Sequence, residues 1–421
     1  MRALDKVIGY NHIKKEIYRI IDILNNSEKY AKVGVKIPKG IMLEGKPGIG
    51  KSLMAECIME ECNRTSYIIR KDKPDGDFVD YIRDTFVEAA KNTPSIILLD
   101  DLDKFANASR WRSDAEEYVT VQACIDSVKK EDVFVIATVN DYALLPDSLS
   151  RKGRFDFTFS MNFPKGEDAK KIIEFYLKDK NCSDDIDAEE IARYTGGYSC
   201  AELENIVNQA GITAVFNGRN VIAQEDLREA CLKEVYGVTD EEEVPEDIVY
   251  KRVVHEAGHT VIAELCNPGC VSFASAARNN YERLGGIVIR ELPNGYMSRF
   301  EDIETEIKVK LAGKAAVEIV LGEIDTGSNQ DLHGVFEKLN SILDAHTSYG
   351  FNTWDHGEQT SEKVHEHLDI SMASEASRYY MLTKKMLIQN KAFLDAIIEN
   401  LLEKKFLSYK DIAKIREKGG F

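Results

Sequence analysis

Apolar residues recur at helical spacing near the start of the chain. Ile13, Ile17, Ile20, Ile21 and Leu24 share one face, so residues 1–35 are predicted to form a helical lead-in. A short strand is expected over 38–44, with a helix from about Leu53. Two further apolar runs of strand length, 96–99 and 133–139, each end in polar residues. The pattern then turns helical, at 169–178, 188–193, 201–216 and 224–234, with Ser199 as an N-cap before the third. The segment 237–247 is acidic, carries Pro245 and has few core residues, which marks a domain boundary. Beyond it nothing repeats the first half. A helix around 253–265 leads to a turn at Cys266–Cys270, a small-residue strand over 284–289 and a strong amphipathic helix over 304–321. Further helices are expected at 331–348, 374–385 and 392–403, followed by a polar tail that should fray. The reading is an α/β domain over 1–165, a helical subdomain over 166–237, a linker over 238–247 and a mainly helical domain over 248–421.

Composition narrows this picture. At 421 residues the chain exceeds one ordinary core, and 43% hydrophobic with 30% charged residues is a soluble globular balance. A net charge of −17 argues against nucleic acid as a partner. No apolar run approaches the roughly 18 residues of a membrane helix, so membrane insertion by this chain is not expected. The N-terminus has no apolar signal region, and a cytoplasmic location is expected. The eight cysteines are scattered singly apart from Cys266 and Cys270, so buried thiols are a better reading than a zinc ribbon.

The first predicted strand runs into Gly45-Lys46-Pro47-Gly48-Ile49-Gly50-Lys51-Ser52 and then a helix. This is the complete phosphate-loop pattern in its strand–loop–helix setting. Glycines let backbone N–H groups crowd a phosphate at a helix N-terminus, where the dipole also favours an anion. Lys51 is placed on the β- and γ-phosphates of ATP and Ser52 on Mg²⁺. Asp100, at the tip of the next apolar strand, is the second Mg²⁺ anchor. Asp101 takes the place of the residue that polarises the attacking water, and Asn140 ends the third strand within reach of the γ-phosphate.

In the second half, Val254-His255-Glu256-Ala257-Gly258-His259 carries two histidines four apart. On a helix they face one metal ion, and Glu256 can take a proton from a water held there. Two histidines leave too open a shell, so a third ligand is needed. Asp331, His333 and Glu318 are the candidates, and chemistry alone slightly favours Glu318.

The segment Asp147-Ser148-Leu149-Ser150-Arg151-Lys152-Gly153-Arg154-Phe155-Asp156 resembles the arginine-bearing segment of AAA+ ATPases. That resemblance implies that Arg151 and Arg154 reach a neighbour's γ-phosphate, in a ring that is most simply a hexamer. It makes residues 166–237 the helical lid of an AAA+ module. An AAA+ module followed by His-Glu-Ala-Gly-His is similar to the FtsH family of ATP-dependent zinc proteases, over nearly the whole chain. The resemblance implies one Zn²⁺ per subunit and selects Asp331, in Gly327-Ser328-Asn329-Gln330-Asp331, with Glu318 as fallback. It also implies protein substrates, threaded to a zinc chamber by ATP-driven motions.

Three departures from that family stand out. The sequence opens at the ATPase module, so a form without the family's N-terminal membrane helices is expected. Asp101 replaces a glutamate, one methylene longer, so slow ATP hydrolysis is expected. The pore loop that normally carries a gripping aromatic ring reads Lys73-Pro74-Asp75-Gly76-Asp77, with Phe78 or Tyr81 as possible substitutes. Two other activities stay open: a remodelling ATPase with a structural zinc domain, and a peptidase gated but not driven by ATP.

Overall fold

The computed structural model describes residues 2–421 except 73, 107–114, 150, 152, 238–244, 278–285, 292–298, 325–328 and 346–361. The chain divides into two compact units, Met1–Ala223 and Gln224–Phe421.

In the first unit, helices α1 (Asn11–Asn25) and α2 (Ser27–Ala31) precede strand β1 (Gly40–Glu44) and helix α3 (Lys51–Glu61). Then come β2 (Thr65–Ile69), α4 (Asp75–Lys91), β3 (Ser95–Leu99), α5 (Ala115–Ser127), β4 (Val133–Val139) and β5 (Phe157–Ser160). The five strands form one parallel sheet in the order β2-β3-β4-β1-β5. β3 and β4 are buried along their whole length, as parallel strands covered by helices on both faces must be. The sequence pattern reached β1, β3 and β4 but not β2 and β5, which are half-exposed edge strands with no continuous apolar run. The register sets Glu44 beside Val139 and Leu99 beside Ala137, so the carboxyl ends of β1, β3 and β4 line up. In open α/β sheets that is where ligands bind. Helices α6 (Glu167–Leu177), α7 (Ala188–Tyr194) and α8 (Cys200–Phe216) follow. Ser199 does cap α8, exchanging hydrogen bonds with Glu202 in a capping box.

Helix α9 (Gln224–Tyr236), read from the sequence as the end of the lid, falls in the second unit. There the Tyr236 ring meets Phe273 edge-on at 5.2 Å. Most of the expected linker, 238–244, lies outside the described residues. Glu246 and Asp247, expected in that linker, instead form the first turn of α10 (Glu246–Cys266), where acidic side chains suit the positive end of the helix dipole.

The rest of the second unit comprises β6 (Val271–Ser275), β7 (Ile287–Arg290), α11 (Phe300–Leu321), α12 (Asn329–Ala345), α13 (Glu362–Gln389), α14 (Lys391–Lys404), β8 (Phe406–Ser408) and α15 (Tyr409–Gly419). Helices α10, α11 and α14 share one apolar core with Leu407, Ile412 and Ile415. A Cβ at Gly258 would stand 2.5 Å from the Ala312 carbonyl oxygen, so glycine is what lets α10 and α11 approach this closely. The tail does not fray. β8 joins the antiparallel sheet β7-β6-β8, and Ser408 caps α15 through a box with Asp411. Only two buried isoleucines anchor that last helix, too few to stand out in a polar stretch.

Candidate nucleotide and metal sites

β1 delivers the phosphate loop to the N-terminus of α3. Gly48 and Gly50 adopt φ of +76° and +92°, a left-handed backbone that favours glycine and turns the loop onto the helix. Lys51 is buried, and its Nζ donates to the carbonyl oxygens of Gly45 and Lys46 at 2.7 and 2.9 Å and to Asn140 Oδ1 at 2.9 Å. Burial lowers its pKa, partly countered by Asp101, Asp103 and Asp100. Ser52 Oγ donates to Asp100 Oδ1 at 2.9 Å, which places the two expected Mg²⁺ anchors together. A cleft of about 540 Å³ opens here, with Gly48, Lys51, Asp101 and Asn140 on one side and Ile172 and Phe175 on another. It has the polar and apolar walls that a nucleoside phosphate needs, and the donor set fits ATP with Mg²⁺.

Asp101 sits at the N-cap of a short 3₁₀ turn in the left-handed region, φ 54° and ψ 52°. Its carboxylate accepts from Asn140 Nδ2 at 3.2 Å and from Lys104 Nζ at 2.5 Å. Asn140 therefore bridges Lys51 and Asp101. Sequence reasoning missed two residues. Thr138 donates to Asp100 Oδ1 at 2.8 Å, and as a lone hydroxyl in an apolar strand it gave some signal. Arg70 pairs with Asp100 Oδ2 at 2.9 and 2.5 Å and gave none. Burial pushes the Asp100 pKa up, but hydrogen bonds from Thr138, Ser52 and Arg70, with the Arg70 charge, outweigh it and hold the carboxyl below its usual value.

The two arginines expected to act across a boundary part company. Arg151 is exposed. Arg154 is instead turned into its own subunit, its Nε and Nη2 on the Asp126 carboxylate at 3.0 and 2.6 Å and its Nη1 on the Ser148 carbonyl. That hydrogen bond, ahead of the opposing effect of burial, draws the Asp126 pKa down to about 2. Of the two, Arg151 is the one whose side chain is exposed, while Arg154 is engaged within its own chain. Neither aromatic substitute for the pore grip is presented either. Phe78 is fully buried against Phe105, and the Tyr81 hydroxyl donates to the Ile68 carbonyl at 2.9 Å. Lys73 lies outside the described residues.

In the second unit, α10 presents His255 and His259 one turn apart, and α12 presents Asp331 in its first turn. His255 Nε2 and His259 Nε2 are 2.9 Å apart and lie 3.2 and 3.3 Å from Asp331 Oδ2. Tetrahedral zinc, with bonds of about 2.0–2.1 Å, sets donor–donor edges near about 3.3 Å, so the triad fits that ion. His259 Nδ1 donates to the Val309 carbonyl at 2.6 Å, which leaves Nε2 as the free lone pair aimed at the centre. Burial raises the Asp331 pKa, but His259 and His255 outweigh it and hold the carboxyl well below the carboxylate range.

Glu256 is buried beside the triad. Two more glycines shape this corner. A Cβ at Gly286 would meet Glu256 Cγ at 2.5 Å, and one at Gly313 would meet His255 Nε2 at 2.5 Å. The other ligand candidates are elsewhere. Glu318 is bonded to the Tyr380 hydroxyl and, at 2.7 Å, to Lys384. His333 is exposed, with Glu337 at 3.4 Å. Among the described residues, His255, His259 and Asp331 are the one cluster with ligand spacing. Gly327 and Ser328 lie outside those residues.

These features define a class: a P-loop ATPase module with a helical lid, followed by a mainly helical unit carrying a zinc-type His-Glu-x-x-His site. The model of the ATPase family associated with various cellular activities (AAA) matches residues 41–163, and that of the AAA+ lid domain matches 185–229. The ATP-dependent zinc metalloprotease FtsH 2 of Thermoanaerobacter sp. (strain X514) is 28% identical over 98% of this chain and 82% of its own length. The FtsH of Halothermothrix orenii is 28% identical over 96% of this chain and 68% of its own. FtsH 2 of Salinibacter ruber is 31% identical, over 79% of this chain and 50% of its own. Over nearly its whole length the chain is thus similar to ATP-dependent zinc metalloproteases of the FtsH type.

Proposed function

We infer that the chain is an ATP-dependent zinc endopeptidase that draws loosely folded polypeptides to the zinc site. The observation that carries this is the pairing, in one chain, of a complete phosphate loop with a His255–His259–Asp331 triad flanked by Glu256. His255, His259 and Asp331 would hold zinc, which when bound polarises water and the scissile carbonyl. Glu256 takes a proton from that water and passes it to the leaving amine. β7 is an edge strand whose outer side is unpaired among the described residues, and an extended substrate can add there by backbone hydrogen bonds. In the nucleotide cleft Lys51 holds the terminal phosphates, and Ser52 with Asp100 would hold Mg²⁺. Asp101 orients the attacking water with one methylene less reach than a glutamate, so turnover is slow. Arg151, exposed on its own subunit, completes the site of a neighbour in a hexameric ring. No described helix is long and apolar enough to cross a membrane, and we place the chain in the cytoplasm.

The burial of Phe78 and the bonding of the Tyr81 hydroxyl to Ile68 favour a second reading, in which the ring gates entry to the zinc site without pulling. The test is casein digestion with ATP, with ADP and without nucleotide, alongside a short peptide. Casein cleavage dependent on ATP supports the pulling reading. Peptide cleavage indifferent to nucleotide, with casein untouched, would favour gating.

A further inference from the structure

The segment leaving β2 has a place in the nucleotide site that the catalytic roles above do not use. Arg70, the residue after β2, lays its guanidinium on Asp100 Oδ2 at 2.9 and 2.5 Å. The other carboxylate oxygen already accepts from Ser52 at 2.9 Å and Thr138 at 2.8 Å. Both oxygens of the Mg²⁺ anchor are therefore engaged by the chain itself. Asp101 is neutralised in the same way, by Lys104 at 2.5 Å. Beside Arg70, Lys71 reaches Glu117 on α5 at 3.4 Å, which steadies the backbone from which the guanidinium projects.

The geometry points to Arg70 as a built-in counter-ion that competes with Mg²⁺ for Asp100, so that nucleotide first enters a self-neutralised site and productive Mg²⁺ engagement requires Arg70 to swing away. A guanidinium and a divalent cation both seek the same carboxylate, and occupancy by one charge raises the cost of adding the other. The exposures suit an exchange. The Asp100 side chain is 3% exposed and cannot leave, whereas that of Arg70 is 58% exposed and needs no repacking to turn into solvent. Arg70 is on this argument a positioning residue, acting through Asp100.

This inference rests on the nucleotide-site reading, and the experiment separates the two. Binding of a fluorescent, non-hydrolysable ATP analogue is followed as free Mg²⁺ is titrated, for the parent, Arg70→Gln and Arg70→Lys. Arg70→Gln is expected to lower the Mg²⁺ midpoint about tenfold, the size of effect expected from one competing charge (about 1.4 kcal/mol), while Arg70→Lys stays near the parent. A midpoint identical in parent and Arg70→Gln, with the analogue bound by both, overturns the counter-ion role and leaves the nucleotide site standing. No binding of the analogue by the parent at any Mg²⁺ concentration overturns both.

Discussion

Glu256→Gln is expected to lower casein digestion about 10²–10⁴-fold, the range for losing a positioned general base. Zinc should stay bound. Glu256 is 4% exposed beside Gly286, and glutamine matches its shape, so the triad and the helix packing have no reason to move. Initial rates measured with zinc content on the same samples separate lost chemistry from lost metal. Digestion that survives the substitution would remove Glu256 from the mechanism.

The second large effect is expected at Asp331→Ala. Outer partners of a zinc ligand typically account for 10–100-fold in affinity, so deleting a ligand should weaken zinc by more than about 100-fold. The variant would keep His255 and His259 with no anion to complete the shell. Zinc content after dialysis against a weak chelator is the measurement, with ATP hydrolysis as the control that the first unit is intact. Parental zinc affinity in this variant would return the third-ligand role to another residue. Glu318 is poorly placed to take it, since Tyr380 and Lys384 already hold its carboxylate.

Local patterns carried much of this site into the sequence. The phosphate loop and the His-Glu-x-x-His helix each lie within one short segment, so spacing alone was enough to read them. Asp331 lies 72 residues beyond His259, and residue chemistry by itself would have leaned to Glu318. What sets Glu318 apart from the histidines is its engagement by Tyr380 and Lys384 of α13, a tertiary fact with no local trace. The Arg154–Asp126 pair is equally invisible in the local sequence. Asp126 sits on α5, 28 residues earlier, and nothing in the motif announces the pair. Phe78 and Tyr81 stood out as aromatics near the loop although neither sits where the family pattern puts the gripping ring, and packing buries one and ties the other. In the parallel sheet the buried central strands were legible from continuous apolar runs, whereas β6, buried at the centre of the second sheet, mixes serine with apolar residues and was not read. The edges β2, β5 and β8 are short or mixed, and their pairing comes from the sheet.

The claim that joins the two halves is that the nucleotide site drives the zinc site, and Lys51→Ala tests it most directly. Lys51 is the buried donor at the centre of the phosphate loop, in a different compact unit from the triad. Casein and a short, unstructured peptide are digested by the parent and by the variant, each with ATP and Mg²⁺. Casein digestion should collapse in Lys51→Ala while peptide cleavage and zinc content stay at parental levels. Casein digested equally well by both proteins would contradict an ATP-driven protease.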